Sequence, residues 1–171
     1  MSNEDLKKKA PKAFDQLAEL HVAGLFAEAG WRVYFPHRDD GFDFIATKQL
    51  PDGILIRPVQ VKGKYPEDAK KNKPTYGYVG RLSQIDPEMV LAIPYFSIGA
   101  LPILQNVAFM PFYKIRPKGK GYRCEPAKFT GGKALLRGEH AKYFDHEGLK
   151  RLSKRTWAKE FAEGALDAED E

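Results

Sequence analysis

The chain contains 171 residues, which is enough for one domain with a buried core. Its composition, 43% hydrophobic and 30% charged with a formal net charge of +5, is typical of a soluble globular protein. The single cysteine, Cys124, excludes an intramolecular disulfide framework, and the N-terminus lacks an apolar run of signal-peptide length. We therefore expect a cytoplasmic protein.

A helix followed by a three-stranded meander is predicted for the N-terminal part. Apolar residues recur at helical spacing from about Leu6 to Ala29, and Gly30 is a suitable stop. Three strands follow, separated by turn sequences of hairpin length. Their predicted ranges are Trp31–Pro36, Phe42–Lys48 and Ile54–Lys62, with turns at His37–Gly41 and Pro51–Gly53.

Residues 66–88 are polar and broken by prolines, which predicts a loop with little regular structure. The next stretch, Met89–Tyr113, carries no charge over 25 residues, a length that would admit a membrane span. Three prolines interrupt it, so two buried strands, at about Val90–Phe96 and Val107–Ile115, explain it better. We expect no membrane partner.

The C-terminal third is strongly basic. Residues 112–159 contain 14 lysines and arginines against four acids, a local charge of +10, whereas residues 160–171 contain six acids. Such a cluster is either a solvated surface or a surface that meets nucleic-acid phosphates, where counterion release supplies affinity. Helical spacing returns near Glu147–Gly164, and residues 166–171 are predicted to be a disordered acidic tail.

The stretch VQVKGK, residues 59–64, alternates valine with polar residues. Side chains of a strand point alternately to its two faces, so Val59 and Val61 would face the core together. Gln60 and Lys62 would then share the other face. Two interpretations stay open at this point: an ordinary half-exposed strand with solvated polar residues, or one site that uses both polar residues.

Two acidic residues favour the second interpretation when they are taken with this pair. Asp43 lies in the apolar run GFDFIA, where an unpaired carboxylate is costly to bury. Glu19 lies at the border of the apolar arc of the predicted helix. Considered singly, Asp43 is interpreted as an acid at the end of a strand that pairs with a lysine. Glu19 is interpreted as a solvated residue of the helix. Together with Gln60 and Lys62 they form an ordered set on the helix, the second strand and the third strand.

This ordered set resembles the PD-(D/E)XK nuclease superfamily, and its D…QxK pattern is similar to the branch that contains intron-encoded homing endonucleases and uncharacterised relatives. The resemblance covers about residues 12–115. It implies an α/β fold with a restriction-endonuclease-like core, in which an N-terminal helix precedes a three-stranded meander and a central mixed sheet is flanked by helices. It also implies a metal-dependent endonuclease that hydrolyses DNA, with Mg²⁺ as cofactor and Mn²⁺ as a substitute.

By this resemblance Asp43 would be the principal metal ligand, assisted by the Val61 carbonyl and the Gln60 amide oxygen, because Mg²⁺ prefers oxygen ligands. Lys62 would orient the attacking water, and Glu19 would hold a metal-bound water from the helix. Many family members have a carboxylate where this chain has the neutral Gln60. Either one metal suffices, with Glu19 supplying the missing charge, or the site has lost cleavage and kept only binding.

Basic and aromatic residues outside this set are candidates for a nucleic-acid surface, where rings pack on bases and cations meet phosphates. A loop packed on its own domain explains the tyrosines equally well. His37, Asp39 and Asp40 are close to Asp43 in sequence and offer another oxygen-rich patch, but Asp-Asp-Gly is ordinary turn chemistry, so the first interpretation is a turn. The candidates for nucleic-acid binding are Lys64, Lys71, Lys73, Tyr76, Tyr78, Arg81, Lys114, Arg116, Lys118 and Arg123.

We predict a single nuclease-like domain over residues 1–165, with its core at about 12–115 and a basic extension at about 116–165. DNA is the expected partner, and RNA and a homo-oligomer stay open. Two other functions stay open as well. One is a non-catalytic nucleic-acid-binding relative of the nuclease fold, and the other is an interaction protein of a mobile element or defence system.

Overall fold

The computed structural model describes residues 3–38, 41–65, 78–82, 84–97, 102–130 and 132–157. In the N-terminal helix it describes side chains from Phe14 onward, and at Tyr78 it describes the backbone. The predicted acidic tail at 166–171 lies outside the described residues.

The N-terminal helix, α1, runs from Asn3 to Glu28 and begins earlier than the sequence pattern predicts. Its buried side chains Ala18, Val22 and Phe26 recur every four residues, so they form one apolar stripe. The helix ends where Gly30 adopts a φ of 84°, a left-handed conformation that glycine takes without steric cost. The predicted glycine stop is confirmed.

Ten strands and a second helix follow in the described part of the chain. They are β1 (Arg32–Tyr34), β2 (Phe44–Leu50), β3 (Gly53–Val61), β4 (Tyr78–Gly80), β5 (Val90–Ser97), β6 (Ile103–Pro111), β7 (Arg116–Lys118), β8 (Gly121–Arg123), β9 (Ala127–Thr130), β10 (Lys133–Leu136) and α2 (Asp145–Arg151).

The main sheet has the order β1-β2-β3-β5-β6. Strands β1, β2 and β3 pair antiparallel as the predicted meander, and β6 pairs antiparallel with β5. Strand β5 pairs parallel with β3, which requires the chain to cross over between them. The sheet is therefore mixed, and the predicted mixed α/β class with an N-terminal helix is confirmed.

One face of this sheet, which we call the helix face, is covered by α1. The Phe26 ring lies 5.4 Å from that of Phe44 and 5.7 Å from that of Phe109. Phe44 is paired with Val59, and paired residues of neighbouring strands share a face, so Val59 also points to α1. Helix α2 packs on the same face, where its Leu149 lines a cavity together with Phe109.

The other face, which we call the hairpin face, carries the side chains that alternate with these. Gln60 is paired with Leu91, and Tyr95 follows four residues after Leu91, so all three point to this face. The Tyr95 ring packs 5.4 Å from the ring of Phe129 on β9. The described helices thus lie on one face of the sheet. The prediction that helices flank the sheet is therefore corrected. Residues from the basic segment supply the second layer instead.

Several predicted bounds are corrected by the structure. Strand β4 forms inside the predicted loop at 66–88, of which residues 66–77 lie outside the described residues. The basic segment forms two hairpins, β7–β8 and β9–β10, where no strands are predicted from the sequence. Strand β6 begins at Ile103 and gives way to a short 3-10 turn at Phe112–Lys114.

The predicted helix at Glu147–Gly164 is also corrected, because α2 ends at Arg151. The chain turns there, and the carbonyl oxygens of Leu152 and Lys154 accept hydrogen bonds from the guanidinium of Arg57 at 3.2 and 2.7 Å. Arg57 is fully buried on β3, so a contact far along the sequence decides where this helix ends. Residues after Trp157 lie outside the described residues.

The uncharged stretch Met89–Tyr113 contributes β5 and β6, as predicted. Residues 89–96 and 107–110 are buried there with nearly no exposed surface. None of the helices in the described ranges has the length and apolar character that a membrane crossing requires.

Candidate active site

Asp43 lies at a bend immediately before β2, not inside a strand as the range Phe42–Lys48 predicts. Its N–H donates to the Val59 carbonyl at 2.9 Å, although Phe44 is the residue paired with Val59. Two consecutive residues, Asp43 and Phe44, are thus both opposite Val59, and the chain bends at Asp43. The strict alternation of side chains is broken at this residue.

The bend turns the Asp43 carboxylate toward the backbone of β3. Its Oδ2 accepts a hydrogen bond from the Val61 N–H at 2.5 Å. Val61 is the central residue of the Gln60-Val61-Lys62 motif, so the motif itself holds the carboxylate in position. A carboxylate held by a backbone donor has a fixed orientation, which a metal ligand needs.

Glu19 and Asp43 line one open cavity of about 300 Å³. Glu19 is half-buried on α1, and the cavity lies between this helix and the segment that leads from β1 to β2. The structure therefore brings the two predicted carboxylates to one site. The other lining residues are Phe35, Pro36, His37, Arg38 and Phe42.

Gln60 and Lys62 lie on the hairpin face. Gln60 is paired with Leu91, and the Lys62 N–H donates to the Ala92 carbonyl at 2.9 Å, so the parallel ladder continues regularly past the end of β3. Gln60 is only 5% exposed, and its Oε1 has no hydrogen-bond partner among the described residues. The half-exposed interpretation of this strand is therefore wrong at Gln60, because a second layer covers the face.

The four predicted residues thus approach the end of β3 from two sides. Glu19 and Asp43 share a cavity next to α1, whereas Gln60 and Lys62 project from the opposite face of the sheet. Pairing between β2 and β3 stops at Phe44, so no β2 residue lies beside Lys62. The contact shown between the two sides is the hydrogen bond from the Val61 N–H to Asp43, which lies at this gap.

The backbone of Val61 also faces the gap. Its N–H points to Asp43, and in a strand the N–H and C=O of one residue point to the same side. The Val61 carbonyl oxygen is therefore directed to the space beside Asp43, and its role as a metal ligand stays a prediction.

The donor set around the gap fits a hard divalent cation. Two carboxylates and one carbonyl are oxygen ligands of the kind that Mg²⁺ prefers, and Mg²⁺ keeps several waters in addition. Within the described ranges, no group of three or more histidine, cysteine, aspartate or glutamate side chains is arranged to hold a metal. A metal at this site would thus depend on a backbone oxygen and water as well as on Glu19 and Asp43.

Cys124 connects the basic segment to the hairpin face. Burial raises the pKa of the Cys124 thiol to about 12, while the positive charges of Lys114 and Lys64 oppose this rise. Both lysines therefore lie near Cys124. Lys64 continues the alternation of Gln60 and Lys62, so it belongs to the same face of the sheet as they do.

The other candidates for nucleic-acid binding occupy several elements. Arg81 is exposed just after β4, and Lys114 lies over the Tyr113 ring at 5.9 Å. Arg116 and Lys118 are exposed on β7, and Arg123 on β8 forms an ion pair with Glu125 at 2.5 Å. The remaining candidates, Lys71, Lys73, Tyr76 and the side chain of Tyr78, lie outside the described residues.

Two residues of the cavity, Phe35 and Arg38, are predicted from the sequence only as parts of a strand and a turn, yet they line the wall beside Asp43. His37, for which a turn and an oxygen-rich patch are both predicted, lines the same wall. Phe35 is 52% exposed and packs on Phe44 at 5.9 Å between ring centroids. The available signal was the exposed aromatic and basic sequence FPHR a few residues before Asp43.

We find no protein-family model, no curated protein and no solved structure that matches this chain.

Proposed function

We propose that the chain is a cytoplasmic, metal-dependent endonuclease with a restriction-endonuclease-like core that hydrolyses DNA phosphodiester bonds. The observation that carries this proposal is the hydrogen bond between the Asp43 carboxylate and the Val61 N–H. It fixes an acidic residue against the centre of the Q-x-K motif at the point where β2 and β3 separate.

The order of the elements supports the same proposal. A helix, an antiparallel meander and a strand that runs parallel to the third strand of the meander follow one another along the chain. The resemblance to PD-(D/E)XK nucleases implies the helix, the three-stranded meander and a mixed sheet, and the parallel pairing of β5 with β3 makes this sheet mixed. The candidate residues lie at the end of β3, beside its parallel partner.

In this proposal Asp43, Glu19 and the Val61 carbonyl hold Mg²⁺, or Mn²⁺ in its place. The bound cation supplies neutralisation of the scissile phosphate and a lowered pKa of an attacking water. Lys62 stabilises the negative charge that develops on the phosphate from its position at the end of β3, beyond the last residue paired with β2. Gln60, whose buried Oε1 has no described partner, offers a neutral amide oxygen from the hairpin face.

The test is nicking of a supercoiled plasmid with and without Mg²⁺. We expect Asp43→Asn to lower the nicking rate at least about 100-fold, because Asn keeps a hydrogen-bond acceptor for Val61 but loses the charge that binds metal. Asp52→Asn is the matched control. Asp52 lies in the turn between β2 and β3, at the other end of these strands, and pairs with Arg155 there.

Equal nicking by the Asp43→Asn protein and the wild type would contradict the proposal. Thermal unfolding of both variants without metal gives the second readout. We expect neither variant to unfold at a much lower temperature than the wild type. A lower nicking rate would then be caused by the change at the site and not by unfolding.

A second function is favoured by one specific observation. Gln60 and Lys62 project from the hairpin face, whereas Glu19 lies on the side of α1. A site divided in this way is suited to a non-catalytic nucleic-acid-binding protein. That function predicts retention of DNA in a gel shift together with an intact plasmid after incubation with Mg²⁺ or Mn²⁺.

A further inference from the structure

Strands β7 and β8 form a short, regular hairpin, which we call the basic ribbon (Arg116–Arg123). Its register pairs Arg116 with Arg123 and Lys118 with Gly121, so only Gly119 and Lys120 form the turn. Gly119 has a φ of 60°, as the first central residue of a type II′ turn requires. Such two-residue turns match the twist of the strands, so the ribbon has a well-defined conformation.

Three cations lie on one face of this ribbon. Arg116 and Lys118 are two residues apart on β7, and Arg123 is directly opposite Arg116, so all three share that face. Like charges directly opposite each other in a hairpin are destabilising. The arrangement therefore has a cost in the free protein that a bound anion would remove.

The protein itself neutralises little of this charge. Arg116 and Lys118 are exposed and form no ion pair with any described residue. Arg123 forms an ion pair with Glu125, but Glu125 also pairs with Arg137 at 2.9 Å, so one carboxylate serves two arginines. A positive face remains on the ribbon.

The opposite face of the ribbon attaches it to the domain. Tyr122 is partly buried against the hydrophobic core, and its cross-strand partner is Pro117. Strand β8 also pairs with β4, along its edge opposite β7, and this pairing supports the ribbon. The cationic face therefore has a fixed orientation and is available to bind a partner.

We propose that the basic ribbon binds B-form duplex DNA by entering its major groove, with its cationic face toward the phosphates. This inference rests on the proposed function only in taking DNA as the partner. Strand β4 pairs with β8 at Tyr122 and Arg123, so the turn end of the ribbon, residues 118–121, has only two strands. Two strands about 4.8 Å apart fit a groove about 12 Å wide. The major groove of A-form RNA is deep and narrow and does not admit such an element.

The test measures binding alone, by fluorescence anisotropy of a labelled duplex DNA in a chelating buffer. Arg116→Gln combined with Lys118→Gln removes two phosphate contacts, so we expect affinity at low salt to fall at least about tenfold and the salt slope to fall by about two. Lys128→Gln combined with Lys133→Gln is the control with the same charge change. Both of these lysines are exposed on the β9–β10 hairpin, and we expect unchanged binding.

Competition with unlabelled nucleic acids tests the groove. We expect duplex DNA to displace the probe at least about tenfold better than duplex RNA or single-stranded DNA of the same sequence. An unchanged affinity or slope in the ribbon variant, an equal loss in the control, or equal competition by RNA would overturn the inference. Because no cleavage occurs in chelator, a chain that binds through the ribbon but never nicks DNA would refute only the nuclease.

Discussion

Gln60 is a buried amide in a row of apolar side chains. It is paired with Leu91, which is paired in turn with Met110, and both of these are fully buried. A buried polar atom without a partner costs about 1–3 kcal/mol. A residue kept at such a cost is typical of a functional site, where stability is lower than the sequence would allow.

We expect Gln60→Leu to raise the free energy of unfolding by about 1 kcal/mol, because leucine removes the unpaired Oε1 and fits an apolar row. Plasmid nicking by the same variant should fall. The measurement is urea unfolding followed by the fluorescence of the two tryptophans.

Gln49→Leu is the control for this substitution, since Gln49 is exposed on β2. It should leave the free energy of unfolding almost unchanged. A loss of stability in Gln60→Leu would mean that the amide is satisfied in solution and serves packing instead of a site.

Cys124 gives a second test at the scale of one residue. Burial raises its pKa to about 12, so its thiol remains protonated and unreactive near neutral pH. We expect an aromatic disulfide reagent at pH 8 to modify Cys124 only after urea unfolds the chain. Modification of the native protein at the rate of a free thiol would show that Cys124 is accessible.

The same pKa predicts a pH dependence of stability. The protonated thiol is favoured in the folded state, so its contribution is complete below the ordinary pKa of 9.0 and is lost as pH rises to about 12. The free energy of unfolding should therefore fall above about pH 9, and less steeply in Cys124→Ala. Parallel slopes for the two proteins would contradict this assignment.

At the scale of elements, Arg57 joins β3 to the segment after α2. It is fully buried, and burial lowers the pKa of its guanidinium, while Glu88 opposes that change. Its Nη1 forms an ion pair with Glu88, and the Leu152 and Lys154 carbonyls accept its remaining hydrogen bonds. One side chain thus connects three separate parts of the chain.

We expect Arg57→Met to lower the free energy of unfolding by about 3 kcal/mol, because two carbonyls lose their donor. Glu88 is 45% exposed and can be hydrated again, so it adds little to this cost. Arg155→Met is the control, because the pair of Arg155 with Asp52 is exposed, and it should change stability little. Equal effects in the two variants would contradict a structural role for the buried arginine.

Elements with strong local signals could be predicted from the sequence. The spacing of Ala18, Val22 and Phe26 and the stop at Gly30 are local, and α1 ends where they predict. The basic ribbon was not predicted, because its strands have three residues each and are dominated by lysine, arginine and glycine. The end of α2 was missed because Arg57, almost a hundred residues earlier, decides it.

In the candidate site, too, the features with a local signal could be predicted and those set by distant contacts could not. The alternation of VQVKGK correctly predicts that Val59 and Val61 are buried together. It could not predict that Gln60 is buried as well, because the layer over the hairpin face comes from β9 and neighbouring segments far along the chain. The bend at Asp43 was equally invisible, since it depends on hydrogen bonds to Val59 and Val61.

At the scale of the whole molecule, the two faces of the sheet are covered unequally. Helices α1 and α2 cover the helix face, whereas Phe129 and its neighbours cover the hairpin face at β5. Ile54 and Ile56 of β3 remain 61% and 53% exposed on that face. The homo-oligomer, for which this apolar surface is relevant, stays a prediction.

The contacts of Arg57 have a consequence for the order in which the protein is made. Its carbonyl partner at Leu152 leaves the ribosome 95 residues later, which at ordinary rates of synthesis is roughly 5–20 s. During that interval Glu88 can pair with the Arg57 guanidinium, but the two carbonyl partners of Arg57 are still missing. We therefore expect the surroundings of Arg57 to be completed only when the segment after α2 has emerged.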